Sequence, residues 1–242
     1  MRFANVPGAS DAATPFEVAG YELPIVDYPG QERLGVAKRH NLRLLASVLD
    51  GSMIEPGATW SLWRAAGRPT AARGYREAAA LREGALTWEV GGAICLLSTV
   101  VYNAALLAGF AIVERRWHSV DSYGPARYFE LGRDATIEYG YIDLRFRNDG
   151  PGMARLRVEA TDERVVAAVL TSEPAAPACV LEVTPLEAPA GEIRVRTVRR
   201  TGLHDGSGGR RTEDLGVSVY RTPTEATGRA GPTGRDGRDV PA

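Results

Sequence analysis

With 242 residues, 44% of them apolar and 24% charged, the chain has the composition of an ordinary globular protein, enough for one large domain or two small ones. A net charge of -1 gives no attraction to nucleic acid or to an anionic membrane surface, so neither is expected as a partner. Two cysteines, Cys95 and Cys179, make no disulfide framework and are expected reduced in a cytoplasmic protein, since the first residues lack a signal-peptide apolar core.

Residues 1–15 are small, polar and proline-containing and read as a flexible N-terminus. Residues 16–28 alternate weakly around Pro24 and predict an edge strand or an extended lead-in. Over residues 35–50, Val36, Leu42, Leu45, Val48 and Leu49 fall at helical spacing, and Gly51 stops the helix. Pro56-Gly57 then predicts a turn between two short strands, and residues 75–81 and 85–90 predict a hairpin around Glu83-Gly84.

Residues 91–109 follow, opened by Gly91-Gly92 and closed by Gly109. They predict a helix over 93–109 that is apolar on nearly every side and therefore buried, yet too short for the roughly 18 apolar residues of a membrane span. Residues 110–113 predict a strand running towards His118, and 119–134 a long loop of the kind that carries function more often than not. Strands are expected over 135–139 and 141–147, with Ile142, Leu144 and Phe146 inward and Asp143, Arg145 and Arg147 as a solvated face. Residues 154–160 and 164–170 supply two more. From Ser172 the composition shifts to a proline- and alanine-rich linker, then a small hairpin (180–183 with 193–198). Beyond Gly202 only the island Val217-Ser218-Val219-Tyr220 reads as strand, and 223–242 as disordered. The expected organisation is a flexible 1–15, an α+β domain over 16–171, a linker and small β appendage over 172–200, and a mostly disordered tail over 201–242. In the domain, an antiparallel sheet of four or more strands packs on the buried central helix, with the helix 35–50 nearby.

One stripe of the central helix is polar: Cys95, Ser98, Thr99 and Tyr102, at i, i+3, i+4 and i+7. A thiol in the first turn, behind a Gly-Gly loop, sits where a helix N-terminus favours thiolate. His118 and Asp134 follow in order, so the chain carries a nucleophile, a base and an orienting carboxylate. These three are the candidate catalytic residues, and Ser98, Tyr102, Trp117, Tyr123 and Arg133 the candidate substrate-binding residues. Arg133-Asp134 reads as a bracing ion pair or as part of the pocket. His40, His118 and His204 are scattered without metal-ligand spacing, so no metal and no cofactor is expected.

The segment Gly91-Gly92-Ala93-Ile94-Cys95-Leu96-Leu97-Ser98-Thr99-Val100-Val101-Tyr102-Asn103-Ala104-Ala105-Leu106-Leu107-Ala108-Gly109 resembles the signature of the VanW family. The resemblance continues through Ile112-Val113-Glu114-Arg115, His118-Ser119, residues 131–136 and residues 139–148, and upstream through Asn41, Pro56-Gly57 and Gly74-Tyr75, covering about 35–170. The chain departs from the pattern at Ala93 and Leu96, where the family has glycine and glutamine, and at Trp60-Ser61-Leu62-Trp63. The resemblance implies a bacterial protein associated with vancomycin resistance or the cell wall, and no particular reaction. The order Cys95, His118, Asp134 is similar to that of papain-like and transglutaminase-like folds, which implies a cysteine-dependent acyl-group enzyme, an amidase or acyltransferase. Its substrate would be a peptide, amide or thioester. The alternative is a non-catalytic module that holds a cell-wall fragment or peptide in the same cleft.

Overall fold

The computed structural model describes residues 13–27, 32–82, 85–174, 179–202 and 211–222. The first half of the chain runs β1 (Phe16–Pro24), α1 (Glu32–Leu49), β2 (Ser52–Ile54), β3 (Thr59–Ser61), α2 (Leu62–Ala66), β4 (Glu77–Arg82), β5 (Ala85–Val90) and α3 (Cys95–Leu107). The second half runs β6 (Ala111–Glu114), a 3-10 turn (Gly124–Ala126), β7 (Arg145–Arg147), β8 (Ala154–Ala160), β9 (Arg164–Thr171), β10 (Cys179–Leu186), β11 (Glu192–Thr201) and β12 (Arg211–Arg221). The fold is α+β, and its strands pair antiparallel in four sheets.

The largest core lies between the sheet β1-β9-β8-β2 and two helices, α3 packing on β1 and β9 and α1 on β8. α3 has the sequence expected of a central helix, and every residue from Leu96 to Leu106 is buried. α1 buries Asn41, Leu42, Leu45, Ala46 and Leu49, a stripe at helical spacing. Val36, expected on that stripe, is instead 62% exposed. Six residues before Leu42 it lies roughly 120° round the helix, so spacing alone placed it on the wrong side. Pro24 sits in β1 at the sheet edge, where its missing N–H costs no ladder bond.

A second sheet, β3-β7-β6, stacks Trp60 on Phe146 with ring centroids 4.8 Å apart. The expected strand over 141–147 shrinks to β7, and that over 135–139 to the isolated bridges Arg116–Thr136 and Glu138–Ile142. The reason is Asp143, which is only 6% exposed rather than solvated. Its carboxylate accepts from Ser61 Oγ at 2.6 Å, from the Trp63 N–H at 3.1 Å and from Leu144 N–H and Arg145 Nε, so it closes the start of α2 instead of facing water.

The region after residue 172 is not an appendage. β10, β11 and β12 form a third sheet, and β12 extends the expected island 217–220 back to Arg211. Its deeply buried side chains are Ser218 and Tyr220, both polar, so counting apolar residues understated the strand. Arg199 of β11, 5% exposed, donates to the carbonyls of Leu106 and Phe110 at 3.0 and 2.8 Å, which places a cation at the C-terminus of α3. The tail expected to be disordered over 223–242 lies outside the described residues, as do residues 1–12 of the start expected to be flexible over 1–15.

The turn into α3 is tightly packed. A Cβ on Gly92 would stand 2.2 Å from the Ala78 carbonyl oxygen, so only glycine fits there. Ala93 takes φ 70°, a region that penalises side chains. Ala93→Gly is therefore expected to raise unfolding stability by about 0.5–1 kcal/mol, the relief of that strain less the extra freedom of the unfolded chain, read as a higher urea midpoint.

Candidate active site

The helix start places Cys95 half-buried at the wall of a cleft of about 1310 Å³, lined among others by Trp63, Trp117, His118, Tyr123 and Thr136. The volume exceeds the roughly 300–1,000 Å³ typical of small-molecule sites. Cys95 Sγ lies 3.7 Å from Thr136 Oγ1 and 3.9 Å from the Ile137 carbonyl. No side chain caps the helix, and the N–H groups of Leu97 and Ser98 bond to the Ile94 carbonyl at 3.0 and 3.3 Å. The first N–H groups of a helix have no partner within it, and Cys95 and Leu96 hold those positions here.

His118 stands four residues beyond β6, in extended chain rather than at a strand end. Its ring stacks on Phe129 with centroids 5.4 Å apart, and only 11% of the side chain is exposed. Nδ1 lies 2.6 Å from Asp134 Oδ2, and the backbone N–H of His118 donates to the same oxygen at 2.7 Å. The carboxylate can only accept, so Nδ1 carries the proton, and His118 and Cys95 line the same cleft.

Asp134 is fully buried and every hydrogen bond to it is charge-assisted. Besides the two from His118, Arg115 Nη2 donates to Oδ1 at 3.0 Å and Tyr220 Oη at 2.6 Å. Arg115 also grips the Asp134 carbonyl at 2.7 Å through Nε.

Burial would raise the Asp134 carboxyl, but the His118 hydrogen bond and charge, with Arg115 behind them, hold it below the usual carboxylate value. Burial would likewise strip the proton from His118. The Asp134 hydrogen bond, followed by that of Cys95, overcomes this and raises the imidazolium to about 10. For Cys95 burial again opposes the charge, and hydrogen bonding and charge from His118 outweigh it, so the thiol lies below its ordinary value. At Cys179 the charges of Arg199 and Arg133 pull downward but are too weak to offset burial. Burial dominates and raises it, and its Sγ only meets the Leu106 carbonyl at 3.6 Å.

Chain order and tertiary structure thus bring Cys95, His118 and Asp134 to one place. Of the other expected site residues, Trp117 and Tyr123 line the cleft, Trp117 with its indole N–H tied to the Val219 carbonyl at 2.7 Å. Ser98, Tyr102 and Arg133 do not. Ser98 is fully buried and donates to the Ala135 carbonyl at 2.6 Å. Tyr102 is 2% exposed under the Arg115 guanidinium, 5.3 Å from its ring centroid. Arg133 pairs with Glu130 and Asn103 and lies over Tyr21, so Arg133-Asp134 is not an ion pair. The polar stripe misled because only its first member reaches the cleft, while Ser98 and Thr99 stitch α3 to Ala135 and Tyr102 is covered by Arg115. Arg115 and Thr136 lie within the segments that resemble the family, but neither their spacing nor that of Tyr220 marks a place beside Cys95, His118 and Asp134.

No helix of the described residues is long and apolar enough to cross a membrane. No solved structure matches the chain, so the likeness to papain-like or transglutaminase-like folds has no structural counterpart. Vancomycin B-type resistance protein VanW of Enterococcus faecalis is 32% identical over 137 residues, 56% of this chain and 50% of that protein. The uncharacterized protein YoaR of Bacillus subtilis is 36% identical over 112 residues, 46% of this chain and 36% of that protein. The chain thus spans half or less of the length of these bacterial relatives. The family described as VanW like protein matches residues 37–170, a stretch that holds Cys95, His118 and Asp134, and the chain belongs to this family.

Proposed function

We propose that the chain is a cysteine-dependent acyl-group enzyme, an amidase or acyltransferase, acting on a peptide, amide or thioester. The observation that carries the reading is the His118–Asp134 pair, 2.6 Å apart, set against a thiol at a helix start. In this reading Asp134 orients His118 and stabilises its charged form, and His118 takes the Cys95 proton. The thiolate attacks the acyl carbon, and the oxyanion that forms is met by the Cys95 and Leu96 N–H groups. As the carbon–leaving group bond breaks, His118 returns its proton to the departing amine or thiol, leaving a thioester on Cys95. Water or an acceptor amine then gives a proton to His118, attacks the thioester and expels the thiolate. Leu96 presents no polar side chain to the oxyanion, so the main chain alone serves it. The name of the E. faecalis relative supports a substrate from cell-wall or antibiotic metabolism.

The test is acylation with p-nitrophenyl acetate, followed by intact-mass and peptide mapping. The expected result is one acetyl group on Cys95, absent in Cys95→Ser and slow to form in His118→Ala. A folded protein that releases nitrophenol no faster than Cys95→Ser and carries no adduct overturns the reading and leaves the non-catalytic binding module.

A further inference from the structure

The family match ends at residue 170, yet the shell around Asp134 does not. β12 reaches back to the site at four successive residues. Ser218 Oγ accepts from Arg115 Nη1 at 2.8 Å, the Val219 carbonyl accepts from Trp117, and Tyr220 Oη donates to Asp134 Oδ1 at 2.6 Å. The Arg221 N–H donates to the Ser119 carbonyl and its carbonyl accepts from the Asp121 N–H, both at 2.9 Å. These last bonds lock the strand to the first residues after His118. Tyr220 is fully buried, and its oxygen also accepts from the Gly132 N–H at 2.7 Å, so the hydroxyl proton has only one direction to point.

The two oxygens of Asp134 are divided between two tasks. Oδ2 receives both His118 bonds, and Oδ1 receives Arg115 and Tyr220. A carboxylate turns about its last bond unless both oxygens are held. Arg115 holds Oδ1 from one side and Tyr220 from the other, and the tyrosine hydroxyl is the closer.

We propose that Tyr220, supplied by a strand outside the family segment, is a positioning residue of the active site. It fixes Oδ1 of Asp134 so that Oδ2 aims at His118, and through His118 it sets the reactivity of Cys95. The C-terminal sheet is in this view part of the catalytic unit. The inference rests on the proposed cysteine chemistry and adds to it a residue that the segment 37–170 cannot provide.

The experiment is the pH profile of Cys95 alkylation by iodoacetamide in the full chain, compared among wild type, Tyr220→Phe and Leu215→Ala. Leu215 lies on the same strand and packs on the core without touching Asp134, so its truncation costs stability alone. Tyr220→Phe keeps the ring and removes one donor. The expected result is a Cys95 rate near neutral pH lower by about ten-fold, with the apparent thiol pKa moved upward, as the thiolate loses its aligned imidazolium. Leu215→Ala is expected to lower the unfolding midpoint and leave the profile of wild type. A Tyr220→Phe profile that matches wild type overturns the proposal, as does an equal shift in Leu215→Ala. A wild-type Cys95 that reacts no faster than Cys179 overturns instead the cysteine reading beneath it.

Discussion

Near neutral pH, iodoacetamide is expected to alkylate Cys95 about ten-fold or more faster than Cys179, because the partners of Cys95 outweigh its burial whereas burial outweighs Arg199 and Arg133 at Cys179. The profile follows from the two shifts. The Cys95 rate rises through a thiol pKa below the ordinary 9.0 and then holds level while thiolate and imidazolium coexist. It rises once more when His118 gives up its proton near 10 and leaves an unpaired, more nucleophilic thiolate. Cys179 shows a single rise above 9.0, since burial raises it. In His118→Ala the plateau vanishes and the Cys95 thiol moves above 9.0, because burial is then the dominant influence left. Peptide-resolved mass spectrometry separates the two cysteines, and equal slow labelling of both would sink the ion pair.

Asp134→Ala is expected to cost about 3–5 kcal/mol of unfolding stability, since it leaves Arg115 and His118 buried without their counter-charge. The carboxylate itself is fully buried, so solvent screens little of this loss. The pH dependence has two limbs. Asp134 lies below 3.8 when folded, so its contribution is present above 3.8 and is lost as pH falls through the lower folded value. His118 is raised from 6.5 to about 10, so its contribution is complete below 6.5 and is lost as pH rises through about 10. Urea unfolding across this range is expected to show a broad maximum in wild type. In Asp134→Ala the acid limb shrinks to what carboxylates such as Asp27 and Asp149, also held below 3.8, contribute, and the alkaline decline begins nearer 6.5, because the first support of the imidazolium is gone. A variant within about 1 kcal/mol of wild type, the worth of an ordinary hydrogen bond, would mean that water fills the carboxylate's place.

Much of the fold was legible where burial and periodicity agree. α3, apolar on all sides, could only be a core helix, and β8 and β9 alternate or run apolar as buried strands do. Legibility failed where a polar group is buried by partners distant in sequence. Asp143 looked solvated because its partners, Ser61 and Trp63, lie 82 and 80 residues away. Ser98 and Tyr102 looked like site residues because a polar stripe on an apolar helix has the same appearance whether it faces a cleft or the main chain at Ala135.

The sequence by itself determined the family, the α+β class, and the order of thiol, imidazole and carboxylate, since these rest on local pattern and on chemistry carried by single residues. Only the tertiary structure decided that these three groups share one region of the fold, and which neighbours surround them. Arg115 and Tyr220 act on Asp134 through hydrogen bonds that span 19 and 86 residues. Such bonds leave no periodicity behind, because their geometry is set by how sheets dock and not by how residues are spaced along the chain.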